Sequence, residues 1–180
     1  MRAWLSRAVL SLLERHTPDR LKSLELQALL NLTARAFRTP GRTVWNKPAG
    51  LALLQYANFT TLCMTAIKAD PDALYREACA VGRRLRRVTG LTEKRDIERL
   101  VFYLYRNIRI TMDGSLPGEI RIPTCFFSRF YTPGQCAVMS SVDSGIIAGI
   151  CGGGSLHFTQ RITEGCAQCR ACYTERREYQ

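Results

Sequence analysis

Apolar side chains recur at three- and four-residue intervals through about the first 110 positions, and this spacing predicts about five helices. Over residues 2–15, Trp4, Leu5, Ala8, Val9, Leu12 and Leu13 share one helical face, while Arg2, Arg7, Glu14 and Arg15 fall elsewhere. Pro18 and Asp19 open a second helix whose stripe runs Leu24, Leu26, Leu29, Leu30, Leu32 and Ala36 before the turn at Pro40 and Gly41. The loop containing Trp45 leads to Pro48, which suits the first turn of a third helix, residues 49–69. That helix is apolar on nearly every side and is expected at the centre of the fold. Asp70-Pro71 supplies an N-cap carboxylate and a first-turn proline, and Gly90 a left-handed stop for the fourth helix. The fifth begins near residues 92–95 and continues through the isoleucines at 108 and 110. Its broad aromatic run, residues 101–105, should be buried or line a cavity.

Beyond residue 110 the pattern becomes mixed. Asp113-Gly114 and Pro117-Gly118 are turn signals, after which Ile120 and Ile122 alternate with Glu119 and Arg121 in a strand, EIRIPTCFFSRF. Thr132-Pro133 again pairs an N-cap with a first-turn proline, opening a helix of small and apolar residues that ends at Cys151 and three glycines. Its interior Gly145 and Gly149 cost about 1 kcal/mol each relative to alanine. That cost is justified where another backbone or a flat ligand comes close. The stretch SLHFTQRIT then alternates with period two, Glu164-Gly165 turns the chain, and a second strand completes a C-terminal β-hairpin. The expected architecture is one α+β domain. It has a helical N-terminal arm over 1–48, a helical core over 49–110, and an α/β ligand-binding part over 119–175.

Length and charge narrow the function classes. A chain of 180 residues fits one domain, and a formal charge of +11 favours an anionic partner. Four arginines, Arg83, Arg84, Arg86 and Arg87, close the fourth helix, where cations are favoured. They also suit phosphate or carboxylate, although a solvated face is the ordinary explanation. No run reaches eighteen apolar residues, so no bilayer-spanning helix is expected. The basic N-terminal helix with its tryptophan suits an anionic membrane surface, or packing on its own domain or on a second copy in a homo-oligomer. With no cleavage site after that helix, the reading is a cytoplasmic protein. There, eight cysteines are thiols or metal ligands rather than a disulfide framework.

Candidate chemistry concentrates in residues 132–173. Cys166, Cys169 and Cys172 repeat every three residues, the spacing of a zinc knuckle or the start of an iron–sulfur run, with Cys125, Cys136 or Cys151 as a remote fourth ligand. In an extended strand, however, Cys166 and Cys172 face opposite to Cys169, and thiols with structural or redox roles are the alternative. Cys125 precedes an aromatic run and is a candidate nucleophile if His157, Arg129 or Arg161 stands close; a buried cysteine is the rival reading. Helical spacing groups Cys136, Ser140 and Asp143, and Asp143 among apolar neighbours is either hydrogen-bonded or part of a site. Asp143, His157 and Glu164 are the acid–base candidates. Phe126, Phe127, Phe130 and Tyr131 would form apolar walls, and Arg121, Arg129 or Arg161 would take a carboxylate.

Gly149, Phe158, Ile162, Glu164, Gly165, Cys166, Cys169 and Cys172 follow a long apolar helix, a strand and an acidic turn. In this order they resemble the 4-vinyl reductase domain family, which occurs in bacteriochlorophyll biosynthesis proteins and as ligand-sensing modules of bacterial and archaeal regulators. The resemblance covers about the last quarter of the chain. It implies an α/β domain for a small, often hydrophobic molecule, with cysteines near the pocket and a tetrapyrrole as the first expectation. The leading expectation is therefore a small-molecule-binding protein, with or without enzymatic activity, for a hydrophobic and partly anionic ligand. The alternatives are a zinc or iron–sulfur protein built on the three cysteines, and a basic binder of nucleic acid or membrane surface. No nucleic-acid motif with its own spacing is present.

Overall fold

Helix ends in the protein follow the chemistry of the local sequence. The Asp70 carboxylate accepts a hydrogen bond from the Asp72 amide at 3.0 Å, and Gly90 (φ 64°) closes the same helix in the left-handed region. Thr132 and Gln135 form a reciprocal capping box, and Gly152 (φ 92°) ends the helix they open. The computed structural model describes residues 2–175 apart from His16, Arg42, Trp45 and Lys68, with side chains from residue 7 onward. The side chains of Trp4 and Leu5, expected on the apolar face of the first helix, and the loop residue Trp45 lie outside that description.

Among the described residues there are six α-helices: α1 (Arg2–Arg15), α2 (Asp19–Ala36), α3 (Ala49–Ala66), α4 (Pro71–Thr89), α5 (Lys94–Asn107) and α6 (Pro133–Cys151). Four strands, β1 (Ile110–Gly114), β2 (Gly118–Cys125), β3 (Ser155–Gln160) and β4 (Cys169–Thr174), form one antiparallel sheet in the order β1-β2-β4-β3. The fold is α+β with a helical N-terminal half. One sheet face is buried, through Ile120, Ile122, Cys169, Ala171 and Tyr173, and the other carries exposed Glu119, Arg121, Arg170 and Cys172. This alternation is what a one-sided antiparallel sheet requires.

Two elements differ from the expected ones. The fifth helix stops at Asn107 instead of running through Ile110. Arg109 (φ 59°) turns the backbone out of the helix, and Ile110 then pairs with Cys125 as the start of β1. The strand β2 ends at Cys125, and Phe126–Arg129 forms a 3-10 turn that folds its aromatic rings toward the helices. The third helix also occupies a less enclosed place than its composition suggests. It buries Ala52, Leu53, Tyr56, Ala57, Phe59, Thr60 and Cys63, but leaves Leu51, Leu54 and Leu62 exposed.

The central helix is α6. By length and mean hydropathy it is the one described helix able to cross a bilayer, yet half of that stretch is buried inside the fold. Its partner is α4, and the two meet backbone to backbone. A Cβ on Gly145 would lie 2.5 Å from the Tyr75 carbonyl oxygen, one on Gly149 would collide with the Cys79 carbonyl, and one on Gly82 with the Ile146 carbonyl. The glycines are thus explained by close approach of another backbone.

Alanine at Gly149 is expected to destabilise the protein by about 1–3 kcal/mol, because the added methyl overpacks the seam by more than helix propensity returns. Gly134, whose Cβ position is open, is the control. Gly134→Ala should raise stability by about 0.5–1 kcal/mol. Denaturant unfolding of both variants checks the pair, and equal effects would contradict the seam.

Candidate functional site

The apolar side of the helix bundle does not close completely. Residues of α2, α3, α4, α5, α6, β1 and the turn after β2 surround a cavity of about 210 Å³. Its walls are mostly aliphatic and aromatic, among them Leu29, Val81, Leu85, Leu104, Phe127 and Ile146. The turn Phe126–Arg129 supplies one end: Phe127 meets Tyr56 edge-on at 5.7 Å and stacks on Tyr131 at 5.6 Å. The Tyr131 hydroxyl and Thr60 Oγ1 share a hydrogen bond of 2.6 Å, which fixes the ring.

Polar groups enter this apolar space at few points. The Tyr105 hydroxyl donates to Asp143 Oδ1 at 2.9 Å. Asn107 Nδ2 donates to Glu25 Oε2 at 3.0 Å. Both carboxyls line the cavity, and among the described residues lining it there is no Lys, Arg or His. Burial pushes Asp143 up to about 7, against the lowering effect of the Tyr105 hydrogen bond. Burial likewise pushes Glu25 up to about 8, against the hydrogen bond from Asn107. Burial raises Tyr105 well above the ordinary phenol range, and the nearby Asp143 and, more weakly, Glu25 raise it further. Tyr105 therefore stands within the field of both carboxyls.

The thiols here are not activated. Burial pushes Cys125 up to about 12 and also raises Cys136, so both are protonated at neutral pH. Ser140 Oγ donates back to the Cys136 carbonyl oxygen at 2.8 Å, an intrahelical bond that directs its proton away from nucleophilic use. What the arrangement can do is hold a ligand by hydrogen bonds from neutral acids and hydroxyls. Asp143, titrating near neutrality, can also exchange a proton.

Of the residues singled out by sequence, Cys125, Phe127, Tyr131, Cys136, Ser140 and Asp143 line this one cavity. The others lie elsewhere. Phe126 is half-buried, tilted against Phe130 at 5.1 Å, and Arg129 is exposed at the end of the turn. Arg161 stacks over Phe158 at 5.2 Å and pairs with exposed Glu164 at 3.3 Å. Arg121 pairs with Asp113 at 2.8 Å on the outer sheet face. His157 is exposed on β3, directly across from Cys172.

The three-cysteine repeat does not converge. Cys169 starts β4 with its side chain buried and its Sγ accepting from the Ile162 amide at 3.3 Å, whereas Cys172 points to the exposed face and Cys166 lies before the strand. An offset of three residues places two strand side chains on opposite faces. Among the described residues no group of three His, Cys, Asp or Glu is placed to hold a metal ion. Among the described residues, Cys166, Cys169 and Cys172 therefore do not converge on one point.

Sequence reasoning missed Glu25 and Tyr56, which arrive from α2 and α3, whereas Tyr105 of α5 belongs to the aromatic run expected to be buried or to line a cavity. One signal was present: Glu25 adjoins the leucine stripe of α2, beside Leu24 and Leu26 and one turn before Leu29. The chain matches no family model and no curated protein sequence.

Asp143 and Glu25 each contribute to the pH dependence of stability. An unfolded aspartate or glutamate ionises near pH 4. Between there and about 7 for Asp143, or about 8 for Glu25, the unfolded chain has released protons that the folded protein keeps. Stability therefore falls as pH rises through this window, by roughly 1 kcal/mol per pH unit for each group. Asp143→Asn should remove its share, flattening the unfolding free energy measured from pH 5 to pH 7. An unchanged slope in that variant would contradict the assignment.

Proposed function

We propose that the protein binds a small, apolar and electrically neutral molecule, with one or two hydrogen-bonding groups, in the cavity between α2, α5 and α6. The observation that carries this reading is the pairing of Asp143 and Glu25 with an apolar space whose described lining residues include no cation. A carboxylate ligand brought there would add charge beside two groups that already resist ionisation. A neutral hydroxyl, amide or carbonyl would instead find a donor or acceptor in Asp143, Glu25 or Ser140.

Volume limits the ligand's size. A cavity near 150 Å³ takes benzene, and drug-sized ligands need about 300 Å³ or more. The 210 Å³ present here suits one substituted aromatic ring or a short alkyl chain. The proposed ligand is therefore smaller than a tetrapyrrole and lacks the anionic group expected from Arg121, Arg129 and Arg161, none of which lines the cavity. The resemblance of the C-terminal quarter to 4-vinyl reductase domains supports a role in binding a hydrophobic molecule. A cytoplasmic setting suits the protonated thiols Cys125 and Cys136 in the wall.

Calorimetric titration with 4-propylphenol, propylbenzene and 4-propylbenzoate at pH 7 tests the proposal. The phenol should bind most tightly and the benzoate at least about tenfold more weakly, a difference of about 1.4 kcal/mol. Val142→Phe, which projects into the cavity, should abolish binding of all three, and Ala28→Trp should block it from the more exposed rim. Failure of every probe to bind, or binding undiminished in both variants, would sink the proposal.

A further inference from the structure

A second concavity lies outside the apolar cavity, where the last turns of α4 meet the end of α6. It is a cleft of about 1020 Å³, open to solvent, with Arg83, Arg86 and Arg87 on one side and the backbone of Gly152, Gly153 and Gly154 on the other. Arg83 and Arg87 are one helical turn apart and exposed, and among the described residues neither forms an ion pair. Arg86 is committed to the fold: its Nη1 donates to the Ile150 carbonyl oxygen at 3.3 Å, at the end of α6.

The glycine wall is built rather than slack. Gly152, Gly153 and Gly154 have φ of 92°, 139° and 101°, a run that other residues adopt only under strain. A Cβ on Gly152 would strike the Arg86 guanidinium, and one on Gly154 would meet the Thr174 carbonyl and the Tyr173 hydroxyl. The Tyr173 hydroxyl donates to the Gly153 carbonyl, which holds the loop in place. Ser155 Oγ and Thr174 Oγ1 share a hydrogen bond of 3.0 Å at the rim. Among the described residues lining the cleft the one carboxylate, Glu175, is engaged by Lys94 at 3.0 Å.

Arginines on an ordinary solvated face spread into water. Here two unpaired guanidinium groups border a concavity whose opposite wall is bare backbone, the surface on which a phosphate and its organic part can approach closely. The cleft is several times larger than a single ion needs. Among its described lining residues it has one aromatic, Tyr75, rather than the stacking series that tracks a nucleic-acid strand.

We propose that this cleft binds a phosphate-bearing small molecule, with Arg83 and Arg87 forking its phosphate oxygens and the glycine backbone supporting the rest. The site is separate from the apolar cavity and does not depend on the reading given to that cavity.

The test is a titration of the full chain with inorganic diphosphate at about 150 mM salt, where interactions that rest on bulk charge are screened. The wild type should bind, and the double variant Arg83→Ala/Arg87→Ala should bind at least about tenfold more weakly. Ser155→Glu, which adds a carboxylate at the rim and leaves both arginines in place, should show a similar loss. Arg84→Ala/Arg95→Ala removes the same charge from exposed positions outside the cleft and should change binding less than about twofold. Equal losses in both double variants would overturn the proposal, as would absence of diphosphate binding. Binding of an RNA oligonucleotide or a phosphatidylglycerol vesicle through Arg83 and Arg87 that diphosphate does not displace would also overturn it.

Discussion

The contact on which the rest depends is the bare-backbone seam between α4 and α6. Gly82 on one helix and Gly145 and Gly149 on the other remove the side chains that normally hold helix axes about 8–10 Å apart. Backbone carbonyls then sit where Cβ atoms would be, a geometry in which Cα–H groups meet carbonyl oxygens and dispersion contacts are dense. Because a methyl at any of the three positions meets main chain rather than a movable side chain, the seam admits little sliding. Its register sets which residues flank it: Val81 and Leu85 beside Val142, Asp143 and Ile146 at the cavity, and Arg86 against the last carbonyls of α6.

That fixed register explains how a carboxylate comes to stand in an apolar space. Asp143 belongs to a helix whose other neighbours are small or aliphatic, and the seam leaves it facing the cavity rather than water. The Tyr105 hydroxyl offsets part of the desolvation, and protonation near neutral pH offsets more. Glu25 meets the same constraint from α2 with Asn107 as its partner. Two half-buried acids beside an apolar space, with no cation among the described residues lining it, are costly for folding. On α4 the cavity residues Val81 and Leu85 alternate with the cleft residues Arg83 and Arg87, so the two concavities lie on different faces of one helix.

Much of the architecture was legible before any tertiary information. The N-caps at Asp70 and Thr132, the C-cap at Gly90 and the small residues of α6 are local signals, and each acts through backbone hydrogen bonds or dihedrals within a few residues. Part of the cavity was legible too, since Cys136, Ser140 and Asp143 follow from helical spacing. The parts that escaped depend on pairing at a distance. The strand β1 exists because Ile110–Gly114 finds β2, against a sequence that reads as helix followed by turn. Glu25 is an ordinary member of an amphipathic helix until α2 and α5 close over the same space.

The sequence by itself determined six helices' worth of caps and stripes, an α+β order, and a C-terminal region where chemistry collects, because these rest on periods of two and 3.6 residues along one chain. Only the tertiary structure decided which candidates share a site. It separated Cys166, Cys169 and Cys172, left His157 and Glu164 at the surface, and brought Glu25, Tyr56 and Tyr105 to Asp143. The physical reason is that ionisation, burial and cavity shape are properties of neighbours in space, and those neighbours, such as Glu25 and Asp143, come from helices far apart in the chain.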